Sequence, residues 1–138
     1  MSQSTPEPID LAERFIYLAT DGRAFPFAPT GSYWAGTEPT EGGRSVGAVA
    51  FTSSEDLHHR LDERHAGTDE VIILGAGQLE IWLDLPDGAR TATITPGQAV
   101  VVPADTWHRL VARQPGWLIF CNRRSGIESR PHPGEETR

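Results

Sequence analysis

The chain has 138 residues, a formal net charge of −7 and a single cysteine. This length suits one domain, and the acidic balance argues against a nucleic-acid partner, because phosphate neutralisation needs a basic surface. One cysteine excludes an intrachain disulfide. The polar amino-terminus does not resemble a secretory signal, and no apolar run approaches the roughly 18 residues of a membrane span. We therefore expect a cytoplasmic protein with no membrane partner.

Short strands dominate the predicted elements, since 14 glycines and 11 prolines leave little room for long helices. Residues 1–13 are expected to form a flexible arm. A helical segment at 54–64, capped by Ser53 or Ser54, is the longest helix predicted. The predicted strands cover 15–19, 46–52, 70–74, 78–85, 90–95, 99–102, 106–112 and 116–122.

Turns at 86–88 and 114–116 are expected to close hairpins between consecutive strands. About eight short strands predict an all-β antiparallel barrel or sandwich. The folded domain is expected to span 14–122, and the mixed-charge residues 123–138 to form a loosely ordered tail.

Histidine and carboxylate side chains accompany two of the predicted strands. His65 shortly precedes Glu70, and His108 lies near the start of a later strand. Glu70 opens an apolar run, where a carboxylate is costly to bury without a cation or another partner. Two imidazoles and one carboxylate can bind a divalent metal on one face and leave other positions open. The alternative is that both histidines are ordinary barrel residues bonded to the backbone.

The spacing of these residues resembles the first motif of the cupin superfamily. Within residues 63–77, His65 is followed after four residues by Glu70 and after six more by Gly77. The motif begins with another histidine, which this chain replaces with Glu63. Glu63 is therefore an additional metal ligand, a catalytic general base near the metal, or a solvent-facing residue.

A second stretch, residues 97–108, resembles the second cupin motif. Gly97, Pro103 and His108 match its spacing, whereas the internal glycine of the motif is Asp105 here. Two motifs in the right order are stronger evidence than either one alone.

The resemblance implies a cupin-type barrel, also described as a double-stranded β-helix or jelly roll. It implies one divalent metal ion bound by His65, Glu70 and His108. We expect Fe²⁺ first, with Zn²⁺, Ni²⁺, Mn²⁺ and Cu²⁺ as alternatives, because imidazole suits all of them. Cupins of this type commonly pair, so a homodimer is also expected.

Two tryptophans are candidates for the substrate pocket. Trp34 lies within the Gly-rich segment 31–43, which is either a flap over the barrel mouth or a plain surface loop. Trp82 alternates with the apolar residues of its strand and could face either the lumen or the outside.

The expected function is that of a metal-dependent enzyme acting on a small organic molecule, with an oxygenase as one version. A non-redox isomerase, cyclase or decarboxylase is an alternative. A cupin that only binds a small molecule, without catalysis, is another.

Overall fold

A computed structural model describes residues 7–57 and 60–133. These residues form one curled, antiparallel sheet of nine strands, which confirms the predicted all-β cupin-type barrel. The predicted arm and tail therefore lie partly outside the described residues, at 1–6 and 134–138. The elements are β1 (Phe15–Leu18), β2 (Ala24–Phe27), α1 (Gly31–Trp34), β3 (Arg44–Phe51), β4 (Leu61–His65), β5 (Glu70–Leu85), β6 (Gly88–Ile94), β7 (Ala99–Val102), β8 (Trp107–Asn122) and β9 (Ile127–Pro131).

Strand β8 joins the parts of the sheet. Its second half lies between β3 and the first half of β5, and its first half pairs with β4 and with the second half of β5. Strand β5 also pairs with β6 and β7. Through these pairings, the start of β5 and both ends of β8 lie around the interior of the curled sheet.

Strands β5 and β8 are each one continuous strand of 16 residues. The sequence predicts each of them as two strands, with a hairpin turn at 114–116. That prediction is wrong because bulges in β5 bend the pair without interrupting it. Gly116 lies at the bend, where a Cβ atom would come within 1.8 Å of the Ala76 carbonyl oxygen. Only glycine allows the two strands to approach this closely.

The bulges also change which residues of β5 face the interior. Ile72 and Leu74 are buried in the first half, and Leu79 and Ile81 are buried in the second. Their cross-strand partners in β8 remain even-numbered residues, from Phe120 down to Leu110. A single alternating pattern across β5 would therefore have placed half of its apolar side chains on the wrong face.

The described part of 54–64, predicted as helix, contains a 3₁₀ turn at Ser54–Asp56 and the strand β4. Ser53 caps that turn, as predicted, by accepting a hydrogen bond from the Glu55 N–H. The expectation of a loosely ordered tail does not hold for β9, which pairs with β4 over five residues.

The hydrophobic core fills the interior of the curled sheet. Its buried members are Phe15, Tyr33, Phe51, Ile72, Leu74, Leu79, Ile81, Ile94, Val102, Leu110, Leu118 and Phe120. In the part of the chain that the structure describes, no helix is both long and apolar enough to cross a membrane.

Candidate metal centre

Strand β4 directs two polar side chains into the interior. His65 is buried and Glu63 is half-buried, and the two lie on the same face because side chains alternate along a strand. Glu63 lies opposite His108 of β8. The pairing of β4 with β8 thus brings the ends of the two cupin-like motifs together.

The turn before His108 is locked to the end of β4. Asp105 adopts a φ of 60°, a left-handed conformation that aspartate tolerates better than most residues. Its N–H donates to the His65 carbonyl at 2.9 Å, and its Oδ1 accepts from the Gly67 N–H at 3.0 Å. Asp105 therefore takes the backbone conformation that glycine would adopt easily, and it adds a side-chain bond that glycine lacks.

Both histidine rings are held through Nδ1. His108 Nδ1 lies 3.0 Å from the Thr106 carbonyl oxygen, and His65 Nδ1 lies 3.4 Å from the Arg123 carbonyl oxygen. A carbonyl only accepts, so each Nδ1 is assigned the proton and donates it. In the neutral ring this leaves the Nε2 lone pair available as a metal ligand.

Glu70 meets both imidazoles at one oxygen. Its Oε1 lies 3.1 Å from His108 Nε2 and 3.4 Å from His65 Nε2. Its Oε2 accepts a hydrogen bond of 2.6 Å from the Asn122 side-chain amide. Asn122 therefore fixes the carboxylate so that Oε1 points between the two rings.

The electrostatics of this cluster are strongly coupled. Burial acts to raise the pKa of Glu70, but contacts with His108 and His65 outweigh it and hold that pKa far below its usual range. Burial acts to lower the pKa of His108, but contacts with Glu70 outweigh it and raise that pKa. Each group thus favours the charged form of the other when no cation is bound.

The residues present fit a metal ion. Among the described residues, neither His65 Nε2 nor Glu70 Oε1 has a partner in hydrogen-bonding geometry, although both are buried. Buried polar atoms without such partners are costly, and a shared cation would satisfy them. The donor atoms lie 3.1 and 3.4 Å apart, and imidazole nitrogen and carboxylate oxygen are both ligands that divalent metals accept.

Glu63 belongs to the same cluster. Glu63, His65 and His108 each offer one ligand atom, and these atoms lie within 4.8 Å of one another. The structure therefore brings together the three predicted ligands and Glu63. Glu63 is half-buried and lines the cavity described below, where it could act as an additional ligand or as a base.

A cavity of about 430 Å³ opens beside this cluster. Glu63, Glu70 and Asn122 form its polar end, and its other walls are mainly apolar. Trp34, one of the two tryptophans predicted for the substrate pocket, lines the cavity. Trp82 is not among the lining residues, and its ring instead packs edge-on against His132 at 4.8 Å. Trp82 faces outward because the bulges of β5 place Ile81 inside.

Two residues of the cavity wall, Asn122 and Arg124, are not found from the sequence. The sequence places Arg124 in a solvated tail, yet it is only 8% exposed. A signal is present, since Leu118, Phe120, Asn122 and Arg124 alternate on one face and all are buried. The predicted strand ends at 122, where β8 also ends, and the charged residues that follow lead the sequence interpretation to place Arg124 in solvent.

A protein-family model described as a cupin domain matches residues 56–120. The matched region contains the candidate ligands and both motifs. Together with the curled antiparallel sheet, the match identifies a cupin domain within the chain. No curated protein sequence matches the chain significantly.

Solved cupin structures share the fold at low sequence identity. A tryptophan-to-tyrosine variant of Bacillus subtilis oxalate decarboxylase has a TM-score of 0.47 and 15% identity, covering 64% of this chain and 23% of that one. Oxalate decarboxylase of Lactobacillus farciminis, in a formate complex, has a TM-score of 0.50 and 15% identity, covering 62% of this chain and 26% of that one. The chain thus spans about a quarter of the length of these proteins, and the likeness shows the fold alone.

Proposed function

We propose that this chain is a metal-dependent cupin enzyme that acts on a small organic molecule. The observation that carries the proposal is the convergence of His65 Nε2, His108 Nε2 and Glu70 Oε1 in a buried site at the end of a cavity. Burying a cluster of titratable groups costs folding free energy, and such clusters concentrate at functional sites.

The residues that would hold the metal are His65, Glu70 and His108. Fe²⁺ is the first candidate, and Zn²⁺, Ni²⁺, Mn²⁺ and Cu²⁺ suit the same donors. When bound, such an ion supplies Lewis acidity and, if it is iron, a site for dioxygen activation. The Nδ1 contacts of both rings and the Asn122 amide keep the three ligand atoms aimed at one point.

Glu63 is the proposed general base. It lines the cavity, it is half-buried, and its negative charge contributes to the raised pKa of His108. A carboxylate beside the metal site can remove a proton from a carbon or oxygen of a bound substrate. This position favours a second candidate, a non-redox isomerase, cyclase or decarboxylase, in which proton transfer at Glu63 is the central step.

The remaining walls select the substrate by size and polarity. A cavity of about 430 Å³ is in the range of small-molecule sites. Phe15, Ile72 and Phe120 line it and keep the polar end away from bulk water. A homodimer and a cytoplasmic location stay predictions, and a cupin that binds its ligand without catalysis is the remaining alternative.

Metal analysis of the purified protein tests the metal centre. We expect about one divalent ion per chain, and at least a hundredfold loss of metal affinity in both His65→Ala and His108→Ala, because removing a ligand costs more than removing its support. His132→Ala is the matched control, since His132 pairs with a carboxylate outside the site. Stoichiometric, tightly bound metal in both ligand variants would overturn the assignment.

Oxygen consumption separates the two enzyme classes. The iron-loaded protein would be supplied with a panel of phenols and oxoacids, and oxygen uptake recorded with and without each compound. Substrate-dependent uptake supports an oxygenase. Absence of uptake, together with product formation that Glu63→Gln abolishes, supports the non-redox class.

A further inference from the structure

The cavity contains one buried guanidinium that the metal centre does not use. Arg124 is 8% exposed and lines the same cavity as Glu63 and Glu70. It is the only positively charged side chain among the described residues that line this cavity. Burying an arginine is costly unless its charge meets a partner of opposite charge.

Arg124 is held in place by contacts with Glu38, Tyr33 and Trp34. Its backbone N–H donates to Glu38, and its Nη2 donates to the Trp34 carbonyl at 3.1 Å. The guanidinium carbon lies 5.6 Å from the centre of the Tyr33 ring and 5.3 Å from that of Trp34. These contacts fix the guanidinium before any ligand binds, which lowers the entropic cost of using it.

The same contacts leave hydrogen-bonding capacity unused. Arg124 Nε is buried and has no hydrogen-bond partner among the described residues. A guanidinium offers five N–H donors in a planar fork that matches a carboxylate. A structural role in anchoring Trp34 explains one of these donors, but it does not explain a buried N–H without an acceptor.

Arg124 also shares the cavity with the candidate metal centre. Asn122, which bonds Glu70, lies two residues before Arg124, and both are buried. Glu70, Asn122 and Arg124 all line the cavity, so a ligand bound there can contact both Arg124 and the ligand cluster. Phe15, Leu118 and Phe120 line the cavity around it.

We propose that Arg124 is an anion-recognition residue and that the substrate is a carboxylate with an apolar body. Its carboxylate pairs with the Arg124 guanidinium, its body contacts the aromatic wall, and its other end reaches the ligand cluster. The contact between the other end of the substrate and the ligand cluster rests on the proposed function. The pairing itself requires only the cavity and Arg124, so it can be tested with and without metal.

Binding of phenylacetate and of its neutral analogue phenylacetamide tests the proposal by calorimetry. We expect phenylacetate to bind the wild-type protein at least tenfold more tightly, as a charge-assisted hydrogen bond predicts. This preference should disappear in Arg124→Gln and return in part in Arg124→Lys. It should persist in Arg123→Gln, since the Arg123 guanidinium bonds the Ala66 carbonyl instead.

Further measurements separate anion recognition from anchoring. Glu38→Gln weakens the anchoring of the Arg124 backbone but keeps the guanidinium, so the preference should remain. If Arg124→Gln does not fold, the wild-type preference and its retention in Arg124→Lys still decide the question. Equal binding of the two probes, or an unchanged preference in Arg124→Gln, would overturn the proposal.

The same titrations on chelator-treated protein keep the two proposals distinct. Phenylacetate preference without metal binding supports the role of Arg124 and contradicts the proposed metal centre. Stoichiometric metal binding without a preference for phenylacetate supports the proposed metal centre and contradicts the role of Arg124.

Discussion

Each face of strand β4 has a contact between a carboxylate and an imidazole. The two contacts differ in how fully the carboxylate is hydrogen-bonded. On the inner face, His65 lies beside a buried carboxylate, Glu70, whose Oε1 has no hydrogen-bond partner in acceptable geometry among the described residues. On the outer face, Asp62 is fully buried and accepts from Arg130 Nε at 3.1 Å and His132 Nδ1 at 2.7 Å. A carboxylate and an imidazole thus meet on both faces, but only the outer carboxylate is fully partnered.

The difference separates a cluster that the fold itself completes from one that a bound ligand would complete. The outer cluster ties β9 and the following residue to β4, and Arg130 lies 4.5 Å over the Trp107 ring. It is complete without any added group. The inner cluster opens into a cavity and directs donor atoms at a common point. A buried polar group that lacks a partner is therefore the stronger indication of function, since a satisfied group of the same type is structural.

The largest effect is expected from breaking the outer cluster. Asp62→Asn keeps the shape but removes the charge that compensates Arg130 and His132. Because both partners are partly exposed, we expect a loss of about 2 kcal/mol in the free energy of unfolding, below the range for fully buried pairs. Denaturant titration measures it.

Asp84→Asn is the matched control, since Asp84 bonds the same Arg130 from a side chain that is 43% exposed. We expect it to cost at most about 0.5 kcal/mol. Metal content should be unchanged in both variants. A loss of metal in Asp62→Asn would show that the two faces are not independent.

A smaller effect is expected from loosening the inner cluster at its support. Asn122→Ala removes the donor that holds Glu70 Oε2. The carboxylate can then rotate away from the imidazoles, and we expect metal affinity to fall about tenfold, the lower end for lost supporting contacts. Ser125→Ala is the control because Ser125 bonds Glu38 at 3.3 Å instead. Unchanged metal affinity in Asn122→Ala would show that Asn122 does not support the metal centre.

Much of this site is predictable because motif spacing reports on backbone geometry. The intervals between His65, Glu70 and His108 predict that the three side chains lie together, as the structure shows, and the apolar run after Glu70 indicates that its carboxylate is buried. These are local properties of strands and turns. The fold class follows from the density of short strands and turn residues for the same reason.

The rest depends on long-range pairing, which a single sequence does not display. The bulges of β5 change which of its residues face inward between its two halves, and the alternation around Trp82 does not by itself say which face is the interior. Asp62 has no distinguishing pattern until β9 covers it, and β9 lies in a charged segment that suggests solvent. Arg124 escapes prediction in the same way, because an isolated charge near a chain terminus usually indicates surface.

The smallest expected effect concerns pH, and it has opposite signs with and without metal. In chelator-treated protein, the raised pKa of His108 means that its contact with Glu70 stabilises the fold fully below the ordinary histidine pKa, and this contribution is lost as pH rises through the raised value. The lowered pKa of Glu70 keeps its own contribution present above the ordinary carboxyl pKa, and this is lost only in strong acid. The metal-free protein should therefore lose stability between about pH 6 and about pH 8.

Metal binding needs unprotonated imidazoles, so the stabilisation that metal provides should increase over the same interval. Denaturant titrations at the two pH values measure both, and His108→Ala should flatten both trends. A metal-free protein that gains stability over this interval would contradict the coupling between His108 and Glu70.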